Sequence, residues 1–248
     1  MAMDFTERHP RRKTNASITR WCSVIIPTLN EASTLPVTIG HLAAEMRSGG
    51  IEVIVADGGS TDGTVSIARA LGCVTVQSPR GRGRQMNHGA SQATAPYLWF
   101  LHADTTPPAD WVRQLRKAAT TGATATFPLR FATKRRFSLL HVYGWLSDFD
   151  VEAFRFGDQS LFVTAQNFRS VGGYDEGMSL LEDNDLVRRL GKSSGRLSLL
   201  DGHVTTSPRR YRQHGVAFTQ SMYVFLYLAY RAGASNGWLL RRYQRAFG

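Results

Sequence analysis

The sequence has little cysteine, and this scarcity limits the classes of protein to which it can belong. Two cysteines occur in 248 residues, Cys22 and Cys73, and each opens an apolar run that is typical of a buried strand. A disulfide framework or a structural zinc site needs more cysteines, or a closer pair. We therefore expect two packed thiols and a reducing compartment, the cytoplasm.

Long hydrophobic runs are also missing. The longest apolar stretch, residues 216–230, is interrupted by Thr219, Gln220 and Ser221. It is shorter than the roughly 18 residues expected of a membrane-spanning helix. Near the start, no apolar segment lies between the charges and a small-residue cleavage site. The sequence therefore predicts neither a transmembrane helix nor a secretory signal.

Acidic residues are outnumbered by basic ones, and their distribution is uneven. The formal net charge is +11, and no Asp or Glu follows Asp201. Residues 1–20 are polar, basic and aperiodic, so we expect them to be disordered. Strong positive potential suits phosphate-bearing ligands, nucleic acid or an anionic membrane, and charge alone does not choose among them.

From Cys22 onward, short apolar runs alternate with longer segments of helical period. The runs are residues 22–27, 51–56, 73–77 and 97–101, and the helical segments are residues 33–47, 63–71, 84–94 and 109–119. This alternation predicts one α/β domain, residues 21–215, with a mostly parallel central sheet and helices on both faces. In such sheets ligands bind beyond the carboxyl ends of the strands. Functional residues are therefore expected directly after the strands.

Polar residues follow three of these strands. They read PTLNE at residues 27–31, DGGSTDGT at residues 57–64 and HAD at residues 102–104. The Asp57 carboxylate can accept a hydrogen bond from a base N–H, while the glycines let the backbone approach a flat ligand. An Asp-Gly turn before a capped helix is an equally good interpretation of this segment.

The carboxylate of Asp104 is the sharpest feature of the first half. It can hold Mg²⁺ or Mn²⁺, which take their remaining ligands from water and substrate phosphates. The alternative is that Asp104 caps a helix that begins near Pro108.

Residues 81–87, GRGRQMN, place arginines before a helix N-terminus. This arrangement suits the binding of a diphosphate, and a solvated basic loop is the alternative.

Three acids interrupt an apolar stretch at residues 180–185, LLEDND. The pair Glu182 and Asp183 can supply a general base. The alternative is ordinary helix N-terminal chemistry, with Asp185 paired to Arg189 four residues later. We accept that alternative for Asp185 and favour the general base for Asp183.

Together these motifs resemble the family 2 glycosyltransferases, which have the GT-A nucleotide-binding fold. The likeness covers residues 22–215 and includes SVIIPTLNE at residues 23–31, HAD in place of the family's DxD motif, and GGYDE at residues 172–176. It is greatest to a compact bacterial subgroup that carries GRxxQMN, GDQ and SxRR segments, here at residues 81–87, 157–159 and 207–210.

The resemblance implies metal-assisted transfer of a sugar, with inversion, from a nucleotide-sugar donor to an acceptor hydroxyl. Asp183 would be the base, supported by Glu182, and Asp104 would hold Mg²⁺ or Mn²⁺. The implied donor-binding residues are Pro27, Asn30, Glu31, Asp57, Arg84, Gln85 and Ala103. The residues expected to contact the substrates are Asp158, Gln159, Arg209 and Arg210. His102 departs from the family, since imidazole is a less natural ligand for Mg²⁺.

The C-terminal segment, residues 216–248, joins an aromatic, apolar run to several arginines. Such helices can lie in a membrane interface and attract anionic lipid. Our hypothesis is peripheral association with the inner face of the plasma membrane, serving a lipid-linked or hydrophobic acceptor. An alternative of equal weight is a helix that packs onto the catalytic domain or pairs with a second subunit in a homodimer.

Two other functions compete with sugar transfer. A degenerate relative would bind a nucleotide-sugar without transferring the sugar. A nucleic-acid-binding protein would account for the positive charge. It would not account for the acids at the strand ends, because carboxylates repel phosphates unless a cation intervenes, so we expect no nucleic-acid partner.

Overall fold

The computed structural model describes residues 20–133, 139–148, 159–195 and 197–247. Two of the sequence predictions lie outside these residues. One is the disorder of the basic N-terminal segment, of which only Arg20 is described, and the other is the substrate contact of Asp158.

Helices and strands alternate along the described chain. The first half contains β1 (Cys22–Thr28), α1 (Leu35–Arg47), β2 (Ile51–Asp57), α2 (Thr64–Ala70), β3 (Val74–Gln77), α3 (Arg82–Ser91), β4 (Tyr97–Phe100), β5 (Thr105–Thr106) and α4 (Trp111–Thr120). The second half contains β6 (Ala125–Thr126), β7 (Leu129–Phe131), α5 (Leu139–Leu146), β8 (Leu161–Thr164), α6 (Ala165–Ser170), α7 (Glu182–Ser194), β9 (Ser198–Leu199), β10 (Val204–Thr206), α8 (Arg209–His214), α9 (Val216–Arg231) and α10 (Asn236–Phe247). The four strands and four helices predicted up to residue 119 are all present, with ends that differ by a few residues.

The central sheet has seven strands in the order β3-β2-β1-β4-β8-β6-β9. Neighbouring strands are parallel, except that β8 runs antiparallel to both β4 and β6. The prediction of a mostly parallel sheet is confirmed.

Both faces of this sheet are covered. On β1, Val24 and Ile26 belong to a cluster that contains residues of α1 and α4, whereas Ile25 packs with Met86 of α3 and with residues of α6 and α7. Successive side chains of a strand point to opposite faces, so a strand between two helical layers is apolar at nearly every position. The prediction of helices on both faces is also confirmed.

A second sheet was not predicted. It has three strands in the order β5-β10-β7, each of two or three residues. Strands this short have no readable periodicity. Strand β5 follows directly after residues 102–104. Its neighbour β10 brings Thr206 beside Asp104, with the Thr206 hydroxyl 3.5 Å from Asp104 Oδ1.

The two cysteines are free and buried, as expected of packed thiols. Burial raises the pKa of Cys22 well above its ordinary value and raises the pKa of Cys73 to about 11. A thiol that resists ionisation is a poor nucleophile. Neither cysteine is therefore a candidate for catalysis.

Glu52 of β2 is a buried carboxylate that ties three segments together. Its Oε1 accepts hydrogen bonds from the Ser23 hydroxyl at 2.6 Å and from the Thr94 backbone N–H at 2.7 Å, and Arg20 lies 3.0 Å from Oε2. Burial acts to raise the pKa of Glu52, but these donors favour the ionised form and together hold the pKa below its usual range. The charged form therefore stabilises the fold.

Replacing Glu52 with glutamine is expected to lower the free energy of unfolding at pH 7 by about 1–3 kcal/mol, because donors that face a carboxylate lose their charged acceptor. Urea denaturation measures the difference. The folded-state pKa is lowered, so the wild-type advantage is complete above the ordinary pKa of 4.5 and should shrink as the pH falls below it. Glu176→Gln, at an exposed loop position, is the matched control. An equal loss in both variants would contradict this role.

Candidate active site

A cavity of about 570 Å³ opens beyond the carboxyl ends of β1 and β4. We call it the strand-end cavity. Its size falls within the roughly 300–1,000 Å³ typical of ligand sites. Seven of the predicted site residues line it: Pro27, Glu31, Gln85, Ala103, Asp104, Arg209 and Arg210.

Asp104 reaches this cavity from a loop that two hydrogen bonds hold in place. The carbonyl of the buried Ala103 accepts a 2.7 Å hydrogen bond from Thr38 of α1, and Asp104 Oδ1 accepts from Thr206. The interpretation of Asp104 as a helix cap is wrong, because α4 begins at Trp111 with Asp110 at its N-cap position.

The donor set at Asp104 suits a cation that is shared with a substrate. Within the described residues, no group of three or more His, Cys, Asp or Glu side chains could enclose a metal ion. Mg²⁺ commonly binds through one or two carboxylates together with substrate phosphates. One carboxylate on the wall of a large polar cavity fits that mode of binding.

Gln85 and Arg82 project from the first turns of α3. The buried Gln85 donates from Nε2 to the carbonyls of Thr28 at 2.7 Å and Ala56 at 2.9 Å, so it joins the ends of β1 and β2. Arg82 lines the strand-end cavity, and its Nη1 lies 3.3 Å from Asp183 Oδ2 and 3.5 Å from Glu182 Oε1. Helix α3 thus positions a guanidinium group between the cavity and the acidic pair.

Arg82 lines the strand-end cavity, although the sequence motif led to a prediction of Arg84 as the donor-binding arginine. Arg84 is exposed and is absent from the lining of the strand-end cavity. The predicted helix began at residue 84, whereas α3 begins at Arg82. The available signal was the spacing of Arg82 and Gln85, since residues three apart share one face of a helix.

Asp57 and Asn30 join two loops and do not line the strand-end cavity. The buried Asp57 carboxylate accepts from the backbone N–H groups of Gly59 and Ser60, each at 2.9 Å, and from the hydroxyls of Thr28 and Ser60. These contacts use the roughly four acceptor positions of a carboxylate. The geometry favours the turn interpretation of Asp57, and its contact with a nucleoside stays a prediction.

Asn30 connects the loop after β1 to the loop after β2. Its Oδ1 accepts from the Thr61 backbone N–H at 2.8 Å, and its own backbone N–H donates to Ser60 Oγ at 2.8 Å. Asn30 has a φ of 57°, a conformation that asparagine tolerates better than most residues.

A second cavity, of about 270 Å³, lies between the start of α7 and the helices α9 and α10. We call it the hairpin cavity, after the helical hairpin that α9 and α10 form. Glu182 and Asp183 line it, and Arg82, Arg210, Tyr223 and Tyr243 line both cavities. The acidic pair therefore stands where the two cavities meet.

Arg209 and Arg210 of α8 lie over the strand-end cavity. Arg209 is 3.3 Å from Glu31, but its side chain is 61% exposed, so this ion pair adds little stability. Arg210 donates a 2.6 Å hydrogen bond to the Tyr223 hydroxyl and lies over the ring of Tyr243. Residues of α9 and α10 thus orient one of the two arginines.

Asp185 has a structural role, as its predicted pairing implied. Its carboxylate accepts from Arg189 at 2.6 Å, from Arg188 at 2.8 Å and from the Tyr230 hydroxyl at 3.3 Å. The pair with Arg189 confirms the prediction and shows that this acid is committed to joining α7 and α9.

Gln159 lies behind the site and does not line either named cavity. It is buried, and together with His102 and Asp183 it lines a void of about 20 Å³. A space of this size holds about one water molecule. Tyr174 lines the same void; its burial, and next the charges of Asp183 and Glu182, raise the pKa of Tyr174 well above its ordinary value.

The C-terminal helices fold back onto the domain. Leu226 of α9 and Leu239 of α10 are buried, and the Asn236 side chain bonds to the backbone of Gly177 and of Ser179. Among the helices that the structure describes, none is both long and apolar enough to cross a membrane.

Comparisons with known proteins identify the family of this chain. The family model described as glycosyl transferase family 2 matches residues 23–171. Succinoglycan biosynthesis protein ExoA of Rhizobium meliloti (strain 1021) is 31% identical over 199 residues, which are 72% of this chain and 60% of ExoA. The chain thus spans less than two thirds of that relative.

Solved structures of low sequence identity share the fold. Mannosyltransferase PcManGT from Pyrobaculum calidifontis, solved with GDP-Man and Mn²⁺, superposes with a TM-score of 0.62 at 18% identity, over 92% of this chain and 74% of that one. S. aureus TarS, solved with UDP-GlcNAc, superposes with a TM-score of 0.60 at 17% identity, over 75% of this chain and 58% of that one. The chain has the GT-A fold and belongs to glycosyl transferase family 2.

Proposed function

We propose that this protein is an inverting glycosyltransferase that moves a sugar from a nucleotide-sugar donor to an acceptor hydroxyl. The observation that carries the proposal is the position of Asp183 at the junction of two cavities, one polar and basic, the other lined in part by leucines. A transferase must bring two substrates together at one base, and this arrangement supplies a place for each.

The strand-end cavity would bind the donor. Arg82, Arg209 and Arg210 supply guanidinium groups for the diphosphate, and the N-terminus of α3 adds backbone donors and the positive end of its dipole. The wall around the nucleoside would be formed by Pro27, Glu31, Gln85 and the backbone of Ala103. The resemblance implies donor-binding roles for Asn30, Asp57 and Arg84, and these roles stay predictions. The substrate contacts of Asp158 and Gln159 also stay predictions.

Asp104 would hold Mg²⁺ or Mn²⁺ together with the donor diphosphate. When bound there, the cation would neutralise negative charge on the departing nucleoside diphosphate. The solved complex of PcManGT holds Mn²⁺ with GDP-Man, which supports a divalent cation in a protein of this fold.

Asp183 would accept the proton of the acceptor hydroxyl as its oxygen attacks the anomeric carbon. The sugar–phosphate bond breaks on the opposite side, and a single displacement of this kind inverts the configuration. Arg82, 3.3 Å from Asp183, would keep the carboxylate turned toward the reaction centre, and Glu182 would support the same guanidinium group.

A thermal-shift screen of UDP-, GDP- and dTDP-sugars, with and without Mn²⁺, tests the proposal. One nucleotide at 100 times its Kd should stabilise the protein by about 2.7 kcal/mol. For a domain of this size that corresponds to a rise in Tm of roughly 5–10 °C. The rise should be larger with Mn²⁺, and the corresponding free nucleoside is the control.

The screen separates the competing functions when it is combined with a donor-turnover assay and a DNA-retention assay. No stabilisation in either condition would remove the basis of the proposal. Stabilisation without turnover of any donor would favour a degenerate nucleotide-sugar-binding protein. Salt-dependent retention on DNA without nucleotide binding would favour a nucleic-acid-binding protein.

We also propose that the protein associates peripherally with anionic lipid at the inner face of the plasma membrane, where a hydrophobic or lipid-linked acceptor would be available. Large apolar side chains of α9 and α5 are about half exposed or more: Phe218, Val224, Phe225, Leu228, Val142 and Trp145. No acid follows Asp201, so the arginines of α9 and α10 have no acidic neighbours within these helices.

The full chain is expected to sediment with phosphatidylserine vesicles at low salt and to be released as salt rises, because lipid charge is screened. Phe225→Ser with Leu228→Ser should weaken binding at least about tenfold, since each buried side chain contributes roughly 1.5–3 kcal/mol. Val37→Ser with Leu71→Ser, at exposed positions in α1 and directly after α2, is the matched control. Indifference to anionic vesicles at moderate salt would refute the association, and concentration-dependent dimerisation would instead favour a homodimer.

A further inference from the structure

The hairpin cavity has more leucines in its lining than the strand-end cavity. Its walls include four leucines and three tyrosines: Leu180, Leu181, Leu226, Leu240, Tyr211, Tyr223 and Tyr243. Arg82 and Arg210 line both cavities and so mark the place where they meet. A cavity whose walls combine leucines with a carboxylate pair is chemically suited to a molecule that has one hydroxyl-bearing end and one apolar end.

Leu181 has a backbone conformation that leucine rarely adopts. Its φ is 62° and its ψ is 19°, in the left-handed region, and it stands immediately before Glu182. Glycine reaches this region without steric cost, whereas a bulky side chain does not. The side chain held in this conformation lines the hairpin cavity. Backbone strain at a site suggests that the side chain itself is needed there.

The C-terminal helices complete the cavity wall. Leu226 comes from α9 and Leu240 from α10. The Tyr230 hydroxyl, 3.3 Å from Asp185, fixes α9 to α7, and Asn236 fixes the start of α10 to the loop that precedes α7. Residues 216–247 are therefore attached to the helix that carries Asp183, and Leu226 and Leu240 line the same cavity as the acidic pair.

We propose that the hairpin cavity binds the acceptor, and that the acceptor is an alcohol or phenol whose hydroxyl reaches Asp183 while its apolar part contacts the leucines. This inference rests on the proposed function. A cavity of about 150 Å³ holds one benzene molecule. The hairpin cavity, at about 270 Å³, accommodates roughly two groups of that size. It has room for an aryl group or a short alkyl chain. A long isoprenoid would enter only with the part next to its hydroxyl end.

Binding of methyl, butyl, hexyl and phenyl β-D-glucosides to the full chain, measured by calorimetry with and without the stabilising nucleotide, tests the proposal. These probes share a hydroxyl-bearing head and differ only in the apolar group. Affinity should rise by up to about fourfold for each added methylene, the scale of burying one such group. Phenyl glucoside should bind well above methyl glucoside.

Leu181→Gly is the decisive variant. It removes an apolar wall and also relieves the backbone strain, so Tm is expected to be kept or raised while affinity for hexyl glucoside falls about tenfold, as expected for the loss of several buried methylene groups. Leu240→Ala, on the opposite wall, should also weaken binding and flatten the dependence on chain length. Leu71→Gly, at an exposed position outside both cavities, is the matched control.

The outcomes separate this inference from the function on which it rests. Two results would overturn the acceptor site alone. One is a chain that binds nucleotide but binds all the alkyl glucosides with the same affinity. The other is an equal loss of glucoside affinity in Leu181→Gly and Leu71→Gly. An equal loss of nucleotide affinity in Leu181→Gly and Leu240→Ala would also overturn it, because neither leucine lines the strand-end cavity. A chain that binds no nucleotide would overturn both proposals.

Discussion

Replacing Asp183 with asparagine is expected to lower the rate of sugar transfer by about 10²–10⁴-fold, the usual contribution of a general base. Asparagine has nearly the same shape, but its amide does not accept a proton at neutral pH. Asp183 lines the hairpin cavity and is not part of the wall of the strand-end cavity. Affinity for the nucleotide should therefore stay close to that of the wild type, and the loss should appear in kcat.

Asp185→Asn is the matched control, because it makes the same chemical change two residues later in α7. Asp185 is bound by Arg188 and Arg189, so its replacement should lower the free energy of unfolding by roughly 1–3 kcal/mol. It should leave far more activity than Asp183→Asn in the protein that remains folded. Steady-state kinetics and urea denaturation of both variants give the comparison. Wild-type transfer rates in Asp183→Asn would place the base elsewhere, with Asp158 the first alternative.

Asp104→Asn is expected to remove the Mn²⁺-dependent part of nucleotide binding and to lower transfer by about 10³-fold or more, the scale of losing several kcal/mol of charge stabilisation. The carboxylate is the cation ligand that the resemblance implies, and it faces the basic strand-end cavity. Asparagine can still accept the hydrogen bond from Thr206, so the loop should keep its position.

Nucleotide titrations at several Mn²⁺ concentrations measure this effect independently of turnover. Asp110→Asn, at the partly exposed N-cap position of α4 and outside both cavities, is the control. If Asp104→Asn keeps the wild-type response to Mn²⁺, the cation is held by other groups and the role assigned to Asp104 is wrong.

The sequence was sufficient to predict the layered architecture because the signal is local. Strands β1, β2 and β4 are apolar at most positions, and β3 alternates between apolar and polar residues. The segments between them have a helical period, so β1 to β4 and α1 to α4 could be located without tertiary information. The small sheet of β5, β10 and β7 could not be predicted. Its strands are paired across long separations and are too short to show a period.

The site residues differ in how far the sequence could assign them. Asp104 and Asp183 stand out because acids follow or interrupt apolar runs, and the structure places them on the walls of adjoining cavities. For Asp57, two interpretations were equally good, and the geometry of its four hydrogen-bond donors favours the turn. The choice between Arg82 and Arg84 depended on where α3 begins, and helix ends are poorly marked when no side chain caps them.

The sequence by itself determined the α/β class, the family resemblance and the strand ends where chemistry was expected, because periodicity and motif spacing are properties of neighbouring residues. Only the tertiary structure decided that Arg82 meets Asp183, which lies 101 residues further along the chain. It also decided that α9 and α10 contribute Leu226 and Leu240 to the wall of the hairpin cavity. Contacts of this kind depend on how helices pack against one another, and no local pattern in the chain encodes them.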